Sequence, residues 1–300
     1  MSLVTLAVMY GHLEGAGGNF ARDPTGHLSI EAGIFEKHGL QVSWNHVQGT
    51  EERYRRLETG SAQISLVVGR ASLQHFLAAK TTRILGVAMN RCPYYLIAQP
   101  AIGTLADLKR KVVACREGPS RNTPIAETFL ERADLRIGAD LFLQLPSGDQ
   151  DAFNLLIEGQ AHAALLPRPF GFIAEERGFK RIEEWPEIVD DPLPITIETT
   201  AKLWSEREKE LRTFLSAYSE GILYFKKTHR ADGIVVLTKR FGHSVALAGK
   251  TFDDYITCMD DTLQVDFGSF EKLLSQVAPE ASERARQIAA EWIVPGAVKA

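Results

Sequence analysis

The sequence predicts a two-lobed α/β fold, each lobe a mostly parallel sheet flanked by helices, completed by a helical C-terminal segment. Three observations carry this prediction. Short β-like runs alternate with helical ones, the alternation restarts after Pro93, and no strand-like run returns beyond Ala201. The 300 residues suffice for two domains of ordinary size. Apolar residues at 45% and charged residues at 24% match a globular chain.

In order, LVTLAVM precedes the helical LSIEAGIFEKH, LQVSWNHV precedes EERYRRLET, AQISLVVG precedes ASLQHFLAA, and TRILGVAM ends the first unit. The second unit runs through YYLIAQ, a short helix at LADLK, KVVAC, a helix from Pro124, LFLQLP, the helix DQDAFNLLIEG, AHAALLP and RPFGFIAEERG. The tail, with SEREKELRTFLSAYSEGILYFKKTH and PEASERARQIAAEWI, is predicted to pack on the existing sheets. The chain is expected to cross between lobes near Asn90 to Pro93 and again near Ile195 to Thr200. That assigns residues 1–91 and 199–300 to one lobe and 92–198 to the other.

A net charge of −4, a pI near 6.1 and the lack of a basic cluster with interleaved aromatics argue against a nucleic-acid partner. Nothing approaches the roughly eighteen consecutive apolar residues of a membrane span. Cys92, Cys115 and Cys258 show neither a disulfide framework nor metal spacing, and are expected to be small buried hydrophobes. No metal or cofactor motif appears, so none is expected. The charge runs EERYRR and SEREKELR pair at helical spacing and read as solvated faces. His162, at strand spacing in AHAALL, reads as an ordinary partly buried residue.

Ligands of open α/β sheets bind beyond the carboxyl ends of strands, so the loops there carry the functional reading. The first, YGHLEGAGGNFARDPTGH, exceeds the usual connection of about two to six residues. Tyr10, Gly11 and His12, with Glu14, Asn19 and Phe20, offer close backbone approach and polar or aromatic contacts there. In the second, GRAS, Gly69 and Arg70 open a helix, whose free N–H groups and guanidinium suit a carboxylate or sulfonate. In the third, CREGPSRNTP, Thr123 and Pro124 read as helix cap and first residue, with Ser120 and Arg121 supplying donors ahead of the helix dipole. In the fourth, Pro167 and Arg168 precede another helix start. Arg70, Arg121 and Arg168 are therefore expected to converge on one anion in a cleft between the lobes. Aromatic Tyr10, Phe20 and Tyr94 favour an organic anion, and Phe170 belongs to the same wall or to the core.

The segments EAGIFEKHGLQVSW, LETGSAQISLVVGRAS, LADLKRKVVACREGPSRNTP and DAFNLLIEGQAHAALLPRPFGFIAEERG resemble successive landmarks of the substrate-binding proteins of ABC importers for nitrate, sulfonates, taurine and thiamine precursors. LWSEREKELRTFLSAYSEGILYFKKTHRADGIVVLTKRFG is similar to that family's segment after the second crossover. The resemblance implies the type II periplasmic-binding-protein fold, a hinge-closing monomeric receptor, a small anionic ligand and a membrane-embedded ABC permease as partner. It implies ligand contacts at Tyr10, Gly11, Gly69, Arg70, Ser120, Arg121, Thr123, Pro167 and Arg168. It also implies the periplasm, or the cytoplasm if the gene supplies no leader before the strand starting at Leu3. The alternative is a cofactor-free enzyme on the same fold, such as an aromatic-acid decarboxylase, with His12 and Glu14 as acid and base. The cysteine-rich CCCFC motif of thiamine-precursor synthases is missing, and so is the helix-turn-helix of a LysR-like regulator.

Overall fold

In the first half, β1 (Val4–Tyr10), a small hairpin of β2 (His12–Leu13) and β3 (Phe20–Ala21), α1 (Thr25–Glu31), α2 (Ile34–Lys37), β4 (Leu40–His46), α3 (Thr50–Glu58), β5 (Ile64–Val67), α4 (Gly69–Ala79) and β6 (Thr82–Met89) follow one another. Next come β7 (Tyr94–Ala98), a 3-10 turn (Leu105–Leu108), β8 (Val112–Ala114), β9 (Phe142–Gln144), α5 (Asp149–Ile157), β10 (Ala163–Pro167), α6 (Phe170–Glu176), β11 (Lys180–Trp185) and β12 (Ile195–Thr200). The tail is helical: α7 (Ala201–Lys227), α8 (Arg230–Phe241), α9 (Val245–Cys258), α10 (Phe267–Val277) and α11 (Ala285–Trp292). The computed structural model describes residues 3–10, 12–13, 20–21, 24–47, 49–91, 94–116, 134–146, 148–185, 192–227 and 230–297. The expected helix from Pro124 lies outside them.

Two five-stranded sheets result, in the orders β4-β1-β5-β12-β6 and β11-β7-β10-β8-β9. β1 runs parallel to β4 and β5, whereas β12 opposes both β5 and β6. In the second sheet β8, β9 and β10 are parallel, and β7 opposes β10 and β11. Central strands such as ISLV, YYLIA and AALLP are buried along their whole length, as strands covered by helices on both faces must be. The two reversed strands are the ones that arrive from the other sheet. A chain leaving β6 at its carboxyl end and starting β7 after four intervening residues enters the second sheet from the same side, so it must run backwards there. β12 mirrors this on return.

That topology corrects the expected boundary at 198/199. The whole of β12 pairs within the first sheet, so the second crossing precedes Ile195. The helical run LSIEAGIFEKH also divides in two: Gly33, at φ +67°, ends one helix and starts the next. Beyond Ala201 the described residues add only isolated bridges to the sheets, and the tail packs as predicted. The Trp292 side chain is buried, and the Val294 N–H bonds the Ile84 carbonyl at 2.9 Å.

Smaller expectations hold too. Cys115 and Cys258 are buried free thiols, while Cys92 lies outside the described residues. The His162 ring accepts the Val112 N–H at 3.2 Å. Glu52 pairs with Arg55 and Arg56 on an exposed helix face, and Glu208 pairs with Arg212. Phe170 is core, 5.4 Å from the Phe153 ring.

One carboxyl is enclosed in the first sheet. Glu198 on β12 is fully buried, accepts the Ser72 hydroxyl, and is pushed by burial from 4.5 up to about 7 against the opposing pulls of Ser72, Arg53 and Tyr54. The folded chain thus holds this proton more tightly than the unfolded one. The stability it contributes is fully present below about 4.5 and declines as the pH rises to about 7. Glu198→Gln removes that dependence. In urea unfolding the variant is expected to gain about 2–3 kcal/mol on the wild type between about pH 5 and about pH 8. A constant difference across that range refutes the assignment.

Candidate functional site

The connection between β6 and β7 sets the carboxyl ends of β1, β4, β5 and β6 beside the carboxyl ends of β8, β9, β10 and β11. All the loops singled out in the sequence leave from these ends. Tyr10 closes β1. Its hydroxyl lies 3.2 Å from His27 Nε2, and its ring stacks on Trp44 at 5.7 Å between centroids. Burial, with the nearby Arg240 cation, lowers His27 to about 3, and burial raises the Tyr10 phenol. Both groups are therefore neutral across the physiological range, and Tyr10 is a fixed apolar wall whose polar end is already engaged. Trp44 in turn rests on Gly26, where an added Cβ would lie 2.2 Å from the indole. Gly11 and the side chains of His12, Glu14, Asn19 and Phe20 lie outside the described residues.

Gly69, expected to offer its amide to a ligand, gives it to the chain instead. Its N–H bonds the Leu193 carbonyl at 3.0 Å, which holds the second crossing against α4. An added Cβ would stand 2.4 Å from that oxygen. Gly69→Ala is expected to cost about 1–3 kcal/mol, the usual penalty of overpacking. Thermal unfolding checks this, and a wild-type midpoint refutes it.

The two described members of the expected arginine trio have partners of their own. Arg70 donates to the side-chain oxygen of Gln276 at 3.0 Å and to its carbonyl at 3.5 Å, capping the carboxyl end of α10. Arg168, with a side chain only 4% exposed, forms an ion pair with Asp254, lies 3.3 Å from Cys258 Sγ and stacks over the Tyr255 ring at 4.4 Å. The expectation that Arg168 meets an external anion is corrected accordingly: a buried guanidinium needs a fixed counter-charge, and α9 supplies it. Pro167 ends β10 opposite Tyr94, and Tyr94 is buried. Ser120, Arg121 and Thr123 lie outside the described residues.

The sequence reading passed over Arg116, the first arginine of CREGPSRNTP. It follows β8 with its side chain 35% exposed, and Nη1 stands 3.5 Å from the enclosed Asp149 carboxylate at the start of α5. Its Nε has no hydrogen-bond acceptor among the described residues. Its position after KVVAC was the available signal. His27, Trp44 and Asp254 gave none, because their roles depend on partners remote in sequence. Among the described residues no group of His, Cys, Asp or Glu could hold a metal ion, and no helix is long and apolar enough to cross a membrane.

No protein-family model matches the chain, and no curated protein matches it. Solved structures do. A putative sulfonate ABC transporter periplasmic protein, SsuA of Methylobacillus flagellatus, superimposes with a TM-score of 0.72 at 12% identity, covering 99% of this chain and 93% of that one. The alkanesulfonate-binding SsuA of Xanthomonas axonopodis bound to MOPS gives 0.69 at 14% identity, with 99% of both chains covered. A cysteine-to-serine mutant of DSZB in complex with biphenyl-2-sulfinic acid gives 0.68 at 14%, covering 98% of this chain and 97% of that one. The chain has the two-lobed type II periplasmic-binding-protein fold. Within it, the likeness in fold extends end to end to SsuA-type sulfonate-binding proteins.

Proposed function

We propose that this chain is a solute-binding protein that captures a small organic anion, a sulfonate or a carboxylate, between its two sheets and delivers it to an ABC importer. In this reading it works in the periplasm as a monomer, without a cofactor and without transforming its ligand. The lobes comprise residues 1–91 with 195–300, and 92–194. The observation that carries the reading is a topology that turns the carboxyl ends of four strands of each sheet toward the other sheet, in a fold shared over nearly the whole chain with sulfonate-binding proteins. Charge and surface support the anion. Arg116 brings a part-exposed guanidinium to the cleft end of β8, Arg121 follows in the same loop, and Ser120 and Thr123 add hydroxyls. At the end of β1 Tyr10, backed by Trp44, offers an uncharged aromatic wall for the organic part. Gly11 and His12 extend that wall's loop.

Titration calorimetry against MOPS, taurine, benzenesulfonate and benzoate, followed by mass spectrometry of each bound anion, tests the proposal. Binding of at least one with recovery of the intact compound is the expected outcome. Absence of binding across the panel overturns the solute-binding reading, and consumption of a bound anion replaces it with an enzyme. Arg121→Ala and Arg116→Gln are each expected to weaken the bound anion about 10–100-fold, the value of one hydrogen bond to a charged group. Unchanged affinity in both removes these residues from the site.

A further inference from the structure

Arg168 leaves the carboxyl end of β10 in the second sheet, yet the carboxylate it meets belongs to α9 of the helical tail. The end of α9 is anchored at the first sheet. The Asn90 N–H, just past β6, bonds the Cys258 carbonyl at 3.0 Å, Met259 bridges Met89, and Arg91 Nη2 donates to the Thr257 carbonyl at 2.6 Å. The Arg168–Asp254 pair therefore joins the two halves of the molecule on the cleft side.

Tyr95 on β7 lies near the same carboxylate: burial followed by the Asp254 charge raises its phenol, whose hydroxyl has no hydrogen-bond partner among the described residues. The Arg181 guanidinium stacks over the Tyr95 ring at 4.2 Å and fixes it from behind. α6 packs against α9 beside the pair, and the apolar cluster containing Phe170 and Phe172 also contains Leu247, Phe252 and Tyr255. Farther out the seam opens into a groove of about 240 Å³, with Ile173, Glu176 and Arg177 facing Phe241, His243 and Leu247.

We infer that Asp254 is a built-in counter-anion which occupies Arg168 and holds the two halves together in the absence of solute. The carboxylate does for Arg168 what a bound anion does for a free cleft arginine, so closure needs no ligand at this point. This deepens the solute-binding reading and rests on it for the cleft's purpose, but the latch itself can be measured without any solute.

Small-angle scattering and hydrogen exchange on the full chain test it. Solute-free wild type is expected to keep its radius of gyration when MOPS is added, and its segments 168–176 and 245–258 to exchange at least about tenfold below intrinsic rates. Asp254→Asn, nearly identical in shape, is expected to enlarge the radius of gyration and to speed exchange in both segments while near-ultraviolet circular dichroism stays folded. Tyr95→Phe, which removes one hydroxyl, is expected to shift exchange in the same direction by less. A wild type that contracts only on adding MOPS overturns the inference, as does rapid exchange of these segments in solute-free wild type. So does a folded Asp254→Asn with wild-type scattering and exchange. Should Asp254→Asn not fold, the wild-type measurements and Tyr95→Phe decide alone. Loss of anion binding in calorimetry, by contrast, bears on the proposed function and leaves the latch standing.

Discussion

The direction in which the chain must enter each sheet governs this molecule. β6 ends where β7 begins, and β11 ends on the same side as β12 starts, so each strand arriving from the other half runs against its neighbours. The remaining four strands of each sheet then point their carboxyl ends at the seam. Loops and helix starts collect there because the topology allows them no other place. The crossings themselves become walls of the same region. Leu193 lies on Gly69, and Asn90 is bonded to the end of α9, so the connections are packed as tightly as the elements they join.

Charge at that seam is distributed by desolvation more than by attraction to a common centre. An ion brought out of water loses several kcal/mol of hydration, which a buried chain must offset with a fixed partner. Arg168 has Asp254, Arg116 has Asp149, and Arg70 spends its donors on the end of α10. Glu198 marks the other solution: fully buried, with the pulls of Ser72, Arg53 and Tyr54 outweighed by desolvation, it binds a proton more tightly. His27 and Tyr10 take the neutral course as well, which makes the wall beside β1 apolar in character although it is built from polar residue types.

These features divide what the sequence discloses from what it hides. Alternating runs such as AQISLVV and ASLQHFLAA announce their elements because side chains repeat at the period of the backbone that carries them. Spacing also explains the solvated charge runs and the unremarkable His162. A single positive φ at Gly33 was enough to split one predicted helix, and a glycine between Ala32 and Ile34 in a helical pattern gives little warning of that. ITIETT reads as a strand, but nothing local says which sheet it joins. The partners of Arg70 and Arg168 are hidden for the same reason. Their position after strands is visible, whereas their acceptors lie 86 and 206 residues away, beyond any periodicity.

A continuous core sets the scale for movement between the halves. One apolar cluster runs from Leu6 and Val8 through Tyr95 and Ile97 to Phe170, Phe252 and Tyr255, so the two halves share an interior along the seam. Each large side chain uncovered by opening costs about 1.5–3 kcal/mol. A ligand must discriminate by about 5.5 kcal/mol to carry a two-state equilibrium from one extreme to the other. Uncovering one such ring costs less than that, so the pairing of Arg168 with Asp254 contributes a material share of what holds the halves together.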